Sequence, residues 1–497
     1  MAVATTPRPD YRGRGIIKIT EQSSEITEKN VIKILNDILP DVAQDHREAR
    51  ALNAYRLGEQ PIIYKQRENE PDEARNNIVV ENHAYKLVNF KTSYLISDGF
   101  KYSQTDDKAT NDVSYLNKYY TDRNKVPKDY TLATWMYTAG TAYRFIRPTP
   151  RKVDFEGESP FEIVNLDNEK TFVAYTTAIG GGVALSGYIV QIDENQYQFT
   201  IYTDERIFTF VSSNVDSVPY GIKISVEPNT LGRNPIIEYP LNEARIGVVD
   251  IAYAMLNAIN TITSNQVDDV VDYVNSILVL YNVAVDKEKM KSLRELGAME
   301  VNDKNPQTPA KVEYVANQLA HNEVNVTVDR IVKTMYDIVG VPQASGQVTS
   351  GGDTGEARKL GNGYESADLI IKLEEGYFIQ SEREALKLEL DICKSFKDCQ
   401  IEELFSSEIQ INPTRHNLDN ILSKVQALSM LSQIGMPEEA SLILTSLGAN
   451  PHELANLWIE NKEKQKEAEP IVEQPTVNTE NPDSAEQNVS GEEGIDI

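Results

Sequence analysis

Apolar residues recur every three to four positions over much of the first 145 residues, which is the spacing of one face of an α-helix. Ile32, Leu35, Ile38 and Leu39 keep this spacing, and Pro40 predicts that the first helix ends there. Further helices are predicted over three ranges: 76–96, 112–120 and 129–143.

Residues 153–240 change to the alternation of a β-strand. YQFTIYT (197–203) and RIFTFV (206–211) alternate with period two, and turn signals stand at 180–182, 193–195 and 219–221. The segment therefore predicts an antiparallel β module.

Helical periodicity returns at 246–276, where Val248, Ala252, Met255, Ile259 and Ile262 share one face. At ~1.5 Å per residue this helix is about 45 Å long. After this helix, short strands are predicted around a small charged helix (286–296). A helix over 324–339 and a kinked helix over 356–397 follow. The chain then predicts a strand near 408–415 and closing helices over 417–434, 437–447 and 451–468.

Composition narrows the function classes. The 497 residues carry a formal charge of −27 and a pI near 4.7, which excludes a protein that holds nucleic acid or a membrane surface through clustered cations. Nine acids and no Lys or Arg lie in 467–497, a composition that predicts a disordered tail. Because there is no signal peptide and no apolar run of about 20 residues, a soluble intracellular product is expected.

Sequence motifs do not point to an enzyme, a metal or a cofactor. HELAN at His452 lacks the second histidine of HExxH, and the loop from Gly346 to Gly351 lacks the phosphate-loop lysine. Cys393 and Cys399 fit neither a CxxC redox motif nor zinc spacing and are expected to be buried or half-exposed helix thiols.

One charge pattern stands out. Between 246 and 286 there is no Lys or Arg, yet Asp268, Asp269 and Asp272 lie within one and a half helical turns. The pattern is typical of a solvated polar face, or of a face turned toward something that must not adhere to it.

The order of elements resembles the portal proteins of tailed bacteriophages, most closely those of long-tailed phages of Gram-positive hosts. The resemblance covers roughly 76–465, and its motifs are NNIVVENHAYKLVNFKTSYLISDGFKYS (76–103), ATWMYTAGTAYRFI (133–146), EYPLNEARIGVVD (238–250) with SNQVDDVVDYVNSILVLYN (264–282), and TGEARKL (354–360). Asp98-Gly99-Phe100 stands where Gly-x-Pro is usual, and Gly361-Asn362-Gly363 stands where stronger helix formers are usual.

The resemblance implies an α+β, mainly helical subunit that assembles into a ring around a central channel. Its parts would be an N-terminal arm (1–75), a wing with the antiparallel β module (76–245), a stem helix (246–276), a clip (277–323), a second stem helix (324–342), a tunnel loop (343–354), a kinked long helix returning to the wing (355–416), crown helices (417–466) and the acidic tail (467–497).

The resemblance also implies the function and partners. Such a protein is a head-tail connector in the virion, assembled in the host cytoplasm at one capsid vertex, with a ring expected to be a dodecamer. Double-stranded DNA would pass through it during packaging and ejection. It would contact the terminase large subunit, the major capsid and scaffolding proteins and a head-completion or adaptor protein, with no membrane and no cofactor.

Three sets of residues become candidate sites. Asp268, Asp269 and Asp272 would line the channel as acidic belts, provided that they face inward. The tunnel loop comprises Ser345, Gly346, Gln347, Val348, Thr349, Ser350, Gly351, Gly352 and Asp353. The clip carries Lys287, Lys289, Lys291 and Arg294, which would contact DNA or the terminase, or form a solvated helix face.

Two other classes remain as alternatives. A capsid scaffold or adaptor protein is one, although such chains are usually shorter and lack this order of elements. A cytosolic enzyme with an acidic tail is the other, and it would need the phosphate or metal site that the motifs do not supply.

Overall fold

The computed structural model describes residues 15–64, 77–104, 110–150, 158–274, 277–281, 311–315, 321–343, 364–397, 399–401 and 404–414. Within these ranges the protein is a mixture of helices and sheets. The predicted closing helices, the acidic tail and the segment 282–310 lie outside them.

Seven α-helices lie within the described residues: α1 (Val31–Arg56), α2 (His83–Ile96), α3 (Thr110–Asp122), α4 (Lys125–Ala139), α5 (Val248–Val274), α6 (His321–Val339) and α7 (Tyr364–Ser395). The long helices predicted from apolar periodicity over 246–276 and 324–339 are confirmed as α5 and α6. Gly340 follows α6 with a φ of 73°, so the predicted end of that helix is also confirmed.

The strands are β1 (Ile17–Ile19), β2 (Phe100–Gln104), β3 (Thr141–Pro148), β4 (Phe161–Leu166), β5 (Thr171–Thr176), β6 (Val183–Asp193), β7 (Gln196–Tyr202), β8 (Arg206–Ser212), β9 (Ser225–Pro228), β10 (Ile236–Pro240), β11 (Ile277–Tyr281), β12 (Lys311–Val315) and β13 (Ile409–Pro413). A six-stranded sheet has the order β1-β5-β6-β7-β8-β9, and a three-stranded sheet has the order β10-β3-β4. The predicted antiparallel module is confirmed, with β1 added in parallel along β5.

Two distant pairings complete the sheets. β13 pairs antiparallel with β2, some 300 residues earlier in the chain. β11 pairs antiparallel with β12 in a register from Ile277 opposite Val315 to Tyr281 opposite Lys311. The two-stranded β11-β12 ribbon follows α5 after two residues.

The prediction that Pro40 ends the first helix is wrong. α1 continues through Pro40 to Arg56. Its buried residues run on both sides of the proline, from Val31 and Ile38 to Leu52 and Tyr55. A proline inside a helix costs about 3 kcal/mol, and burial of this long apolar stripe offsets that cost.

Two other helices differ from the ranges that periodicity predicts: α2 is shorter than 76–96, and α4 has the predicted length but begins and ends four residues before 129–143. Residues 77–82 have no helical structure, and α2 begins at His83, where the Asn82 side chain accepts a hydrogen bond from the Tyr85 amide at 3.2 Å. α4 ends at Gly140, whose φ is 80°, and the chain continues directly into β3. Apolar spacing alone did not distinguish the extended neighbours from the helices.

α1 links two hydrophobic cores. Its N-terminal half, from Val31 to Val42, packs with the six-stranded sheet. Its C-terminal half, from Ala49 to Tyr55, packs in the larger core formed by α2–α7 and their strands.

The start of α5 is held against the end of α4 by backbone contact. A Cβ atom at Gly140 would lie 2.1 Å from the Arg245 carbonyl oxygen, and one at Gly247 would lie 2.3 Å from the Thr138 carbonyl oxygen. Arg245 itself has a φ of 55° and forms a two-point ion pair with Glu238 at 2.8 and 2.9 Å. Only glycine allows these two backbone segments to approach this closely.

We expect Gly140→Ala to destabilise the subunit because the new methyl group would overlap the backbone of α5's entry. Gly221→Ala is the matched control, since Gly221 has a φ of 83° but no atom within 4 Å of its Cβ position. The control should cost only the left-handed backbone conformation, about 1–2 kcal/mol. Thermal unfolding should show a clearly larger decrease in Tm for Gly140→Ala, and equal decreases would contradict the contact.

Candidate functional site along the long helix

α5 and α6 lie side by side and run in opposite directions. Gln266, near the end of α5, donates to the Asn325 side chain, near the start of α6, at 3.0 Å. Met335 and Val339, near the end of α6, share a buried core with Val248 at the start of α5. The pair therefore forms a long two-helix unit whose far end leads into the β11-β12 ribbon.

An extended segment lies along one polar stripe of α5. Asn260, Ser264 and Asp268 follow one another at four-residue intervals on the same face of the helix. Their side-chain oxygens accept hydrogen bonds from alternate backbone amides of residues 77–81, at 2.9–3.0 Å. The order is antiparallel: the Glu81 amide meets Asn260, and the Asn77 amide meets Asp268. We call this set of contacts the amide ladder.

The amide ladder works because two repeat lengths agree. Four helical residues advance about 6.0 Å, and two extended residues advance about 6.6–6.8 Å. A stripe of hydrogen-bond acceptors at this helical spacing therefore matches every second amide of an extended chain over three contacts. The match satisfies three backbone donors that would otherwise depend on solvent.

Further polar contacts tie the amide ladder to its surroundings. Thr263 donates to Glu81 at 2.9 Å, and His83 lies 3.1 Å from both Glu81 and the Tyr336 hydroxyl of α6. The Asn260 amide also hydrogen-bonds the Gln60 side chain. α5 is thus joined by side-chain contacts to the chain after α1, to the entry of α2 and to α6.

Asp268 does not lie on an open face of the subunit. Its side chain is only 4% exposed, and one carboxylate oxygen accepts from both the amide and the side chain of Asn77 at 2.9 Å each. The expectation that Asp268 lines a channel together with its neighbours is therefore revised: its carboxylate is turned into the amide ladder. Sequence reasoning missed this role because Asn77 is 191 residues away.

The two other acids of the group are placed differently. Asp269 is exposed, and the adjacent Val270 is 47% exposed. Asp272 lies in the last turn of α5, and its side chain lies outside the described residues. Asp269 is thus the one acid of the three for which the described structure gives an open position.

The other predicted site residues lie outside the described residues. This holds for the tunnel-loop site residues 345–353 and for Lys287, Lys289, Lys291 and Arg294. Their flanks are described: α6 ends at Val339 before the loop, α7 begins at Tyr364 after it, and the β11-β12 ribbon flanks the basic segment.

Other chemistry is limited within the described part of the chain. Cys393 and Cys399 are free and buried, as predicted, but only Cys393 lies in a helix, because α7 ends at Ser395. The Tyr119 hydroxyl lies 3.7 Å from the Cys399 sulfur. No three His, Cys, Asp or Glu side chains come together there in a way that could hold a metal ion. Of the helices described, none has the length and apolar character needed to cross a membrane.

We expect Asp268→Ala to loosen residues 77–81 from α5, because two donors of Asn77 would lose their acceptor. An unsatisfied buried donor costs about 1–3 kcal/mol. Asp269→Ala, one residue further on the exposed surface, is the matched control and should change stability by at most about 0.5 kcal/mol. Hydrogen exchange should accelerate at the 77–81 amides in Asp268→Ala alone; equal exchange in both variants would contradict the amide ladder.

Comparison with known proteins assigns the family. A family model described as "Phage portal protein, SPP1 Gp6-like" matches residues 35–468. A solved structure described as the neck of an empty GTA particle computed with C6 symmetry is similar at a TM-score of 0.42 and 11% sequence identity, covering 73% of this chain and 90% of that one. Comparison with curated proteins gives no match. Because the family match spans most of its length, the chain belongs to the SPP1 Gp6-like family of phage portal proteins, which are ring-forming structural components of the phage particle.

Proposed function

We propose that this portal subunit lines the DNA channel of its ring with the α5-α6 unit, and that the channel wall is built to avoid holding DNA. The observation that carries the proposal is the absence of Lys and Arg from 246 to 286, a stretch that contains all of α5. Family membership supplies the portal role, and the charge pattern supports this assignment of the wall.

The physical argument concerns adhesion. Duplex DNA carries one negative charge per ~1.7 Å of its axis, so a wall of cations would bind the duplex and slow its passage. An acidic wall repels it over about 8 Å at physiological salt. Asp269 and Asp272, repeated around a ring, are the residues proposed for this repulsion. Asp268 contributes by fixing α5 to residues 77–81, and its charge is buried.

The tunnel loop is proposed as a compliant constriction in this channel. Residues 345–353 are mostly small and polar, carry no Lys or Arg, and connect α6 to the segment before α7. Gln347, Val348 and Thr349 would meet DNA through sterics and backbone groups. Glycines on both sides of these three residues give the backbone the freedom to adjust.

The clip is proposed as the contact with the packaging motor. Lys287, Lys289, Lys291 and Arg294 would face DNA or an acidic surface of the terminase large subunit, and a solvated helix face remains the alternative.

We propose no catalytic role for the chain itself, so the force for packaging would come from the terminase ATPase. Capsid, scaffolding and head-completion proteins are the other proposed partners, at one capsid vertex.

A ring with a central hole in negative-stain images of the purified protein would support the portal assembly. A compact monomer would favour the alternative of a scaffold or adaptor protein. The same images provide the assembly control for the two variants below.

We expect Asp269→Lys combined with Asp272→Lys to reduce the yield of packaged DNA in assembled rings, because the wall would attract the duplex. The matched control is Glu194→Lys combined with Glu205→Lys, which makes the same charge change on exposed positions near the six-stranded sheet. The control should package normally. Unchanged packaging by the α5 variant, with normal rings, would refute the low-adhesion wall.

We expect deletion of residues 346–352 to impair DNA retention or passage while rings still form, since the loop is proposed to touch DNA and the flanking helices hold the subunit. DNA release from filled particles measures retention, and negative-stain imaging measures ring formation. Loss of the ring itself would count against the loop assignment.

A further inference from the structure

A cluster of charged side chains is buried where α7 meets α4 and β3. It contains two cations, Lys125 and Arg144, and three carboxyl groups, those of Asp129, Glu382 and Glu389. Each of the five side chains is at most 3% exposed. Charges buried this deeply must be neutralised by partners or by protons.

Four of these residues neutralise each other. Lys125 contacts Asp129 at 2.9 Å and Glu382 at 2.8 Å, and Arg144 contacts the same two carboxylates at 2.5 and 3.1 Å. The four groups form a closed set with two positive and two negative charges. Their net charge is zero, and both cations form their ion pairs within the set.

Glu382 is ionised in this set. Burial by itself would raise the pKa of Glu382, but Lys125 and Arg144 overcome that effect and lower the pKa to about 2. The hydroxyls of Tyr102 and Tyr239 also donate to this carboxylate, at 2.7 and 2.8 Å.

Glu389 is the carboxyl group left over. It lies two helical turns after Glu382 on α7 and accepts one hydrogen bond, from the Tyr120 hydroxyl of α3 at 2.7 Å. Among the described residues its other oxygen has no hydrogen-bond partner, and no cation forms an ion pair with it. An ionised carboxylate in this position would be an uncompensated buried charge beside Glu382.

We propose that Glu389 carries a proton in the folded subunit at neutral pH, and that its ionisation is a pH-sensitive element in the joint between α3, α4 and α7. The titratable and charged groups that act on it are Tyr120 of α3, Lys125 of α4, Arg144 of β3, and Glu382 and Cys393 of α7. Asp129 of α4, Tyr102 of β2 and Tyr239 of β10 adjoin this set through their interactions with Tyr120, Arg144 or Glu382.

The neighbouring groups support this assignment. Burial, followed by the charge of Glu382, raises the pKa of Glu389 to about 8. Burial also raises the pKa values of Tyr102, Tyr120 and Tyr239 well above their ordinary range. These tyrosines stay neutral over the same pH range, and they cannot neutralise a charge on Glu389.

The direction of the stability effect follows from the two pKa values. Between pH 4.5, the ordinary value, and about 8 the unfolded chain has released this proton while the folded chain keeps it. The stability contribution of Glu389 therefore falls as pH rises through this window and is constant above it. One proton corresponds to about a tenfold change in the unfolding equilibrium constant per pH unit.

Infrared difference spectra of the full-length protein test the protonation directly. Wild type at pH 7 should show a protonated-carboxyl C=O stretch that Glu389→Gln lacks, and this band should disappear with a midpoint near pH 8. Glu384→Gln, on the exposed face of the same helix, is the matched control and should retain the band. Identical wild-type and Glu389→Gln spectra at pH 7 would overturn the proposal.

Urea unfolding gives the second readout. The ratio of the unfolding constants of wild type and Glu389→Gln should rise about tenfold per pH unit between pH 5 and 8 and then level off. A ratio independent of pH would refute the proposal.

Tyr120→Phe keeps the test decisive if Glu389→Gln does not fold. The Tyr120 hydrogen bond lowers the pKa of Glu389, so its loss should move the infrared midpoint to higher pH. An unmoved midpoint would overturn the assignment to Glu389.

Discussion

The backbone amides of an extended segment need hydrogen-bond acceptors, and the long helix beside that segment supplies them. This interaction organises the subunit. The amide ladder pairs three side chains of α5 with alternate amides of residues 77–81, and it works because the two repeat lengths nearly agree. Through this segment the entry of α2, the end of α1 and the C-terminal part of α6 take their positions relative to α5. The close backbone contact between Gly140 and Arg245 fixes the other end of the same helix.

The role of each acidic residue in this protein depends on how deeply it is buried. Asp268 and Asp269 are neighbours in the sequence, yet one is an internal acceptor and the other is exposed. Glu382 and Glu389 lie on one face of α7, yet among the described residues Glu382 forms ion pairs with two cations and Glu389 forms none. A carboxyl side chain in this protein therefore acts as a hydrogen-bond acceptor inside the fold, as a surface charge or as a protonated group, according to which groups surround it.

The proposed place of α5 in the channel wall agrees with the geometry of this helix. A wall that lets DNA pass would be stiff and would attract phosphate little. α5 is a long helix without cations that is braced along its length by the amide ladder, by α6 and by the buried core. Asp269 follows Asp268 directly, so it projects about 100° further around the helix than Asp268, away from the amide ladder, and it is exposed.

The sequence alone predicted the β module and the two long helices, because periodicity is a local property of the chain. Its motifs and order of elements resembled the portal family, and the family match confirmed that resemblance. It predicted the ends of α1, α2 and α4 less well, since burial and close backbone contact outweighed Pro40 and the apolar spacing. The role of Asp268 was decided only by tertiary structure. Its partner Asn77 is 191 residues away, and whether an acid on a helix meets solvent, an amide or another charge depends on what the fold packs against it.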